Sequence, residues 1–153
     1  MKKNKLKFFI VDDDPFSVAI FRQYLIFEGY RDIEIFSNGE DCLEKLDEEP
    51  DVILLDHYMT TLNGMEVLKE VKKRKPGTYV LYISSSTDTE LIEDSLKHGA
   101  FCYIVKGKNE FEKMLAELRK IKTAIDSFAQ TNFTKMAFYP LSYNRNNFSF
   151  SFS

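Results

Sequence analysis

Residues 8–15, Phe8-Phe9-Ile10-Val11-Asp12-Asp13-Asp14-Pro15, hold an apolar run that stops abruptly in three carboxylates and a proline. An unbroken apolar run this short reads as a strand covered on both faces, since an exposed face would impose alternation. Two further runs repeat the layout. Val52-Ile53-Leu54-Leu55 stops at Asp56, and Tyr103-Ile104-Val105 stops at Lys106. In a parallel sheet covered by helices, ligands collect outside the carboxyl ends of the strands. Asp12, Asp13 and Asp56, gathered at that edge with the Lys106 ammonium, therefore mark where function is to be sought.

Between these runs lie amphipathic stretches, and the alternation predicts five βα units in an α/β chain with a mostly parallel sheet. Strand 1 spans about Leu6 to Val11. Asp14 is placed to cap a helix that has Pro15 at its first position, runs to about Glu28 and stops at Gly29. Ile33 and Ile35 alternate with Asp32 and Glu34, which predicts a half-exposed edge strand. Asn38-Gly39 turns the chain into a second helix ending near Pro50. Strand 3 is Val52 to Leu55 and strand 4 about Tyr79 to Ile83; Met65, Leu68 and Val71 share a face of the helix between them, which Pro76-Gly77 breaks. A fourth helix covers about Asp88 to His98, with Gly99 as its stop before strand 5, Phe101 to Val105. Phe111, Met114, Leu115, Leu118, Ile121, Ile125 and Phe128 recur at helical spacing and predict the fifth helix.

Composition limits what such a chain can do. With 153 residues, 44% of them hydrophobic, it has one domain's worth of core and no room for a separate effector domain. Its 21 basic residues are offset by 24 acidic ones, so the net charge of -3 gives no general attraction to nucleic acid or to anionic membranes. Cys42 and Cys102 stand outside any CxxC pattern and read as packing residues. Met1-Lys2-Lys3-Asn4-Lys5-Leu6-Lys7 has no apolar leader segment, which predicts a reducing, cytoplasmic setting. No apolar run approaches the roughly 20 residues needed to cross a membrane.

Three strings, Val11-Asp12-Asp13-Asp14-Pro15, then Leu55-Asp56-His57-Tyr58-Met59 followed by Gly64, then Tyr103-Ile104-Val105-Lys106, together resemble the receiver domain of bacterial two-component response regulators. The resemblance covers roughly residues 5–125, and its nearest type is a stand-alone, chemotaxis-regulator-like receiver. It implies a flavodoxin-like (βα)5 doubly wound parallel sheet of strand order 2-1-3-4-5, with the site at the switch point between strands 1 and 3. That order also puts strand 2 on an edge, as its alternation indicates.

Carboxylates about 4 Å apart repel by about 4 kcal/mol per pair at an effective dielectric of about 20, so three of them call for a cation, and Mg²⁺ with its preference for oxygen ligands is the natural one. By the resemblance, Asp13 and Asp56 bind the metal directly, Asp12 binds it through water, and the Tyr58 carbonyl completes the protein's share. Asp56 is the nucleophile toward a phosphohistidine on a sensor histidine kinase or histidine phosphotransfer protein, and Lys106 neutralises the moving phosphoryl group. Ser84 follows the fourth apolar run and matches the family's Ser/Thr position, in preference to Ser85. Tyr103 matches the switch aromatic that turns inward as the Ser84 hydroxyl moves toward the phosphoryl group. The expected output is a changed surface around helix 4, strand 5 and helix 5, read by a downstream effector protein. His57, on the strand face opposite Asp56, and His98, near a helix C-terminus, are assigned structural roles.

Departures from the family sit near the site. Thr60 and Gly107 stand where it usually has prolines, so the Lys106-Gly107 bond is expected to be trans, with a rearranged loop before helix 5. Tyr58 lacks a group to orient water, which points to slow loss of the acyl phosphate. Residues 129–153 match nothing in the family and form an aromatic and Ser-rich extension to a receiver domain over 1–128. Its ending, Phe148-Ser149-Phe150-Ser151-Phe152-Ser153, alternates like a strand, with docking on the domain itself, docking on a second copy as a homodimer, or a loose terminus as its readings. Two rival functions are weighed. A phosphatase of the haloacid dehalogenase type is suggested by Asp12-Asp13-Asp14, against Phe16 and the lack of an acidic pair after Lys106. The other is a degenerate receiver used only for binding.

Overall fold

A computed structural model describes residues 5–107 and 109–142, the last of these, 133–142, by backbone alone. Five strands, β1 (Lys7–Val11), β2 (Asp32–Phe36), β3 (Val52–Asp56), β4 (Tyr79–Ser84) and β5 (Cys102–Val105), alternate with helices α1 (Pro15–Phe27), α2 (Gly39–Glu44), α3 (Gly64–Arg74), α4 (Thr89–Lys97) and α5 (Glu110–Ser142). All four strand pairings are parallel, in the order β2-β1-β3-β4-β5. This is the doubly wound flavodoxin-like sheet expected.

Burial follows strand position. Every residue of central β3 is buried, whereas edge strands β2 and β5 each have a single buried residue. β2 is an edge strand as its alternation indicates, yet Ile35 is 42% exposed and Phe36 carries the burial. One face of the sheet packs Phe9, Val11, Ile53, Leu55, Val80 and Tyr82 against α2 and α3 residues including Cys42, Val67, Leu68 and Val71. Fully burying each such aliphatic side chain contributes about 1.5–3 kcal/mol.

The helix starts are set by local chemistry. Asp14 caps α1 by accepting from the Phe16 amide at 3.1 Å and from the Ser17 hydroxyl at 2.9 Å, with Pro15 at the first position. Asn63 and Glu66 form a reciprocal capping box at α3, and Asp88 caps α4. α2 is shorter than expected. It stops at Glu44, and a 3-10 turn over Leu46–Glu48, closed by Glu49 in the left-handed region (φ 58°), carries the chain toward Pro50.

The described residues fall into two compact units that divide between residues 115 and 116. The first holds the whole sheet, α1 to α4 and the start of α5. The described part of the second is helix alone: α5 does not end near Phe128 but continues to Ser142. The separate extension expected from residue 129 is thus helical through 142. The alternating residues 148–153 lie outside the described residues.

Candidate functional site

Parallel pairing brings the carboxyl ends of β1, β3, β4 and β5 to one edge. Val11 pairs with Leu55, Asp56 with Ile83, and Ser84 with Val105, so Asp12, Asp56, Ser84 and Lys106 follow in register. One carboxylate oxygen from each of Asp12, Asp13 and Asp56 lies within 4.8 Å of the others. Asp12 and Asp56 are buried, at 4% and 5% exposure, while Asp13 faces solvent.

At that separation each pair of charges repels by about 3–4 kcal/mol at an effective dielectric of about 20. The Lys106 Nζ offsets part of this, 2.8 Å from Asp56 Oδ1 and 3.1 Å from Asp12 Oδ2. Burial dominates at Asp56 all the same. Desolvation outweighs the hydrogen bond from Lys106, the nearby charges of Asp12 and Asp13 add to it, and the carboxyl is pushed up to about 6. For Lys106 the balance is opposite: burial favours loss of its proton, but the hydrogen bond and charge of Asp56, then those of Asp12, raise it above the ordinary lysine value. Asp12 also accepts from the Asp14 amide at 2.9 Å, which ties the start of α1 to the site. An all-oxygen set with two buried carboxylates fits a hard divalent cation such as Mg²⁺. Tyr58, the remaining expected ligand through its carbonyl, directly follows His57 and exposes 55% of its surface.

Ser84 ends β4 fully buried, whereas Ser85 is exposed. The Ser84 Oγ accepts from the Ser86 amide at 3.1 Å, and the Ser86 carbonyl accepts from the Tyr103 hydroxyl at 2.7 Å. Tyr103 is half-buried, its ring stacked on Tyr82 with centroids 5.7 Å apart and planes 21° from parallel. A chain of two hydrogen bonds thus joins Ser84 to Tyr103.

Other candidates fall outside this cluster. His57 pairs with the buried Tyr82 hydroxyl, and burial lowers the imidazole and raises the phenol. The His98 Nδ1 lies 2.8 Å from the Asp94 carbonyl and finishes α4. Asp14 is engaged in capping. Cys42 and Cys102 form no disulfide, and burial pushes the Cys42 thiol up to about 12. No peptide bond is cis among the described residues, the Lys106-Gly107 bond included. Gly107 takes φ 133°, and its amide donates to Glu110 Oε2 at 2.8 Å, a bond proline could not make.

Sequence reasoning passed over Ser86, Tyr82 and Glu110. A hydroxyl within the apolar run Tyr79-Val80-Leu81-Tyr82-Ile83 was the available signal for Tyr82, because a buried phenol needs a partner.

Comparison with known proteins agrees with this geometry. Residues 8–119 match the family described as the response regulator receiver domain. Similar curated proteins include the probable C4-dicarboxylate response regulator DctR of Bacillus subtilis, 31% identical over 80% of this chain and 54% of the relative. Another is the transcriptional regulatory protein MalR of the same organism, 34% identical over 71% of this chain and 47% of the relative. The chain spans about half the length of these relatives. A response regulator receiver domain protein (CheY-like) from Methanospirillum hungatei superposes with a TM-score of 0.72 at 27% identity, covering 81% of this chain and 99% of that one. A chain of the CheX-CheY-BeF3-Mg+2 complex from Borrelia burgdorferi gives 0.71 at 27% identity, covering 76% of this chain and 88% of that one.

Proposed function

Because this chain belongs to the response regulator receiver domain family, we propose that it is the phosphoacceptor switch of a two-component system, with Asp56 as the acceptor. The donor is a phosphohistidine on a sensor histidine kinase or histidine phosphotransfer protein, and the reader is a downstream effector protein. The observation that carries the reading is the convergence of Asp56 with Asp12, Asp13 and Lys106 at one sheet edge.

Asp12, Asp13, Asp56 and the Tyr58 carbonyl would hold Mg²⁺. When bound, the ion supplies positive charge to the phosphoryl oxygens. An Asp56 carboxylate oxygen forms the new P–O bond as the donor's P–N bond breaks, and the imidazole departs with that electron pair. Lys106 leaves part of its contact with Asp56 to neutralise the transferred group, a task suited to a compact charge on a flexible stem. Ser84 turns its hydroxyl to a phosphoryl oxygen and so gives up the Ser86 amide. The Ser86 carbonyl then holds Tyr103 less firmly, and the ring turns inward, a population shift favoured by phosphorylation.

The chain catalyses only its own phosphorylation and slow dephosphorylation, so it is a switch and not a turnover enzyme. It works in the cytoplasm and has no direct role in binding nucleic acid; no helix among the described residues is long and apolar enough to cross a membrane. Incubation with acetyl phosphate and Mg²⁺, read by intact mass, tests the reading. One added phosphate in the natural protein and none in Asp56→Asn is the expected result. Steady turnover of a small phosphate ester would favour a phosphatase instead.

A further inference from the structure

Tyr82 is fully buried in the middle of the sheet, yet it carries a hydroxyl. A buried phenol needs a hydrogen-bond partner, and here the partner is the His57 Nδ1. His57 directly follows Asp56 and puts its side chain on the opposite face of the sheet. The chain is packed closely at that point. A Cβ added to Gly64, at the start of α3, would come within 2.5 Å of the Asp56 carbonyl oxygen, 2.8 Å of the His57 Cα and 2.9 Å of the Tyr82 hydroxyl. The Gly64 amide also donates to the His57 carbonyl at 2.9 Å. On its other side the Tyr82 ring stacks on Tyr103, its partner in the β4–β5 register.

The switch aromatic therefore touches two routes toward the site. One runs through Ser86 to Ser84. The other runs from Tyr82 to His57 and so to the backbone beside Asp56. We infer that Tyr82 and His57 are positioning residues of the switch: Tyr82 seats the Tyr103 ring, and His57 fixes that seat to the segment carrying the phosphoacceptor. The inference rests on the reading of Asp56 as acceptor and Tyr103 as switch.

The physical basis is that a packed interior has discrete arrangements and does not deform continuously. With its hydroxyl anchored, Tyr82 offers Tyr103 a ring in one fixed position, so release by Ser86 moves Tyr103 between two defined places. Without the anchor the Tyr82 ring can settle in several orientations, and the two places blur.

The test uses the full chain with 3-fluorotyrosine incorporated at position 103 and fluorine NMR before and after acetyl phosphate and Mg²⁺. Intact mass reports phosphate uptake on the same samples. In the natural background the Tyr103 resonance is displaced on phosphorylation. Tyr82→Phe keeps the ring and removes the hydroxyl; the displacement falls to about half or less while the mass gain is unchanged. His57→Leu, at a half-buried position, gives the same loss and carries the test should Tyr82→Phe fail to fold. His57→Asn, which restores a polar atom near the place of Nδ1, recovers the displacement. An undiminished displacement in the folded Tyr82→Phe protein or in His57→Leu overturns the inference, as does failure of His57→Asn to recover it. Absence of any mass gain in the natural protein would instead remove the Asp56 reading, and the inference with it.

Discussion

Replacing Asp56 by Asn should make the metal-free protein more stable, although Asp56 accepts a short bond from Lys106. The folded state holds the Asp56 proton up to about pH 6, against an ordinary value of 3.8, because burial and the charges of Asp12 and Asp13 outweigh the lysine. Each unit of such a shift corresponds to about 1.36 kcal/mol, so keeping the carboxylate ionised costs the folded state about 3 kcal/mol near neutrality. The neutral Asn side chain avoids that cost but fits the Lys106 ammonium less well, leaving a gain of about 1–3 kcal/mol. At about 3 °C per kcal/mol for a chain of this size, the midpoint should rise by about 3–9 °C. The sign is fixed by linkage: the cost is absent below the unfolded pKa near 4, grows between about 4 and 6, and is constant above. Thermal unfolding followed by circular dichroism, in chelator at about pH 7.5 and again at about pH 4, should show the gain at the first pH and little at the second. A midpoint for Asp56→Asn equal to or below that of the natural protein in chelator near neutrality would refute the electrostatic argument. So would a gain of the same size at the acidic pH.

Further outcomes follow from the same geometry. Lys106→Met removes the cation shared by two buried carboxylates; with the ammonium partly exposed, the expected loss is about 1–3 kcal/mol by urea unfolding, and phosphate uptake from acetyl phosphate should slow markedly. Gly64→Ala forces a methyl group onto the Asp56 carbonyl oxygen, the His57 Cα and the Tyr82 hydroxyl; unfolding should show about 2–4 kcal/mol of destabilisation, and an unchanged midpoint would mean this corner is looser than its distances imply. Tyr58→Asn puts an amide two residues beyond the acceptor, where it can orient water, and should shorten the lifetime of phosphorylated protein measured by intact mass. Cys42, with its thiol held far above the usual value, should resist iodoacetamide in the folded protein, while half-buried Cys102 reacts first in a peptide-mapped time course.

Much of the architecture was legible because each run named its own layer. Val52 to Leu55 lacks alternation and lies in the fully buried central strand, while Asp32 to Ile35 alternates and lies at the edge. The helix starts read at Asp14, at the Asn38-Gly39 turn and near Asp88 fall within a residue of those observed, where all three residues prove to be caps. The gathering of Asp12, Asp13, Asp56 and Lys106 followed from strand order, which turns positions distant in the chain into neighbours. The ends of elements were harder to read. α2 stops at Glu44 and gives way to a 3-10 turn closed by left-handed Glu49, which no glycine announces. Phe128 ends the regular spacing of apolar residues in α5, but hydrogen bonding along a helix can outlast an apolar stripe, and it does so to Ser142. The His57–Tyr82 pair was invisible because nothing in the order of residues tells which polar atom will meet a hydroxyl across two strands.

The complete burial of β3 divides the site by timescale. Amides of Ile53, Leu54 and Leu55 are shielded on both faces and paired on both edges, so they should exchange with solvent only through global opening. Ser85 and Ser86, beyond the end of β4, belong to a surface loop and can move in far shorter times. With Asp56 as the proposed acceptor, the chemistry falls on the most completely buried strand of the sheet and its transmission on a surface loop beside it.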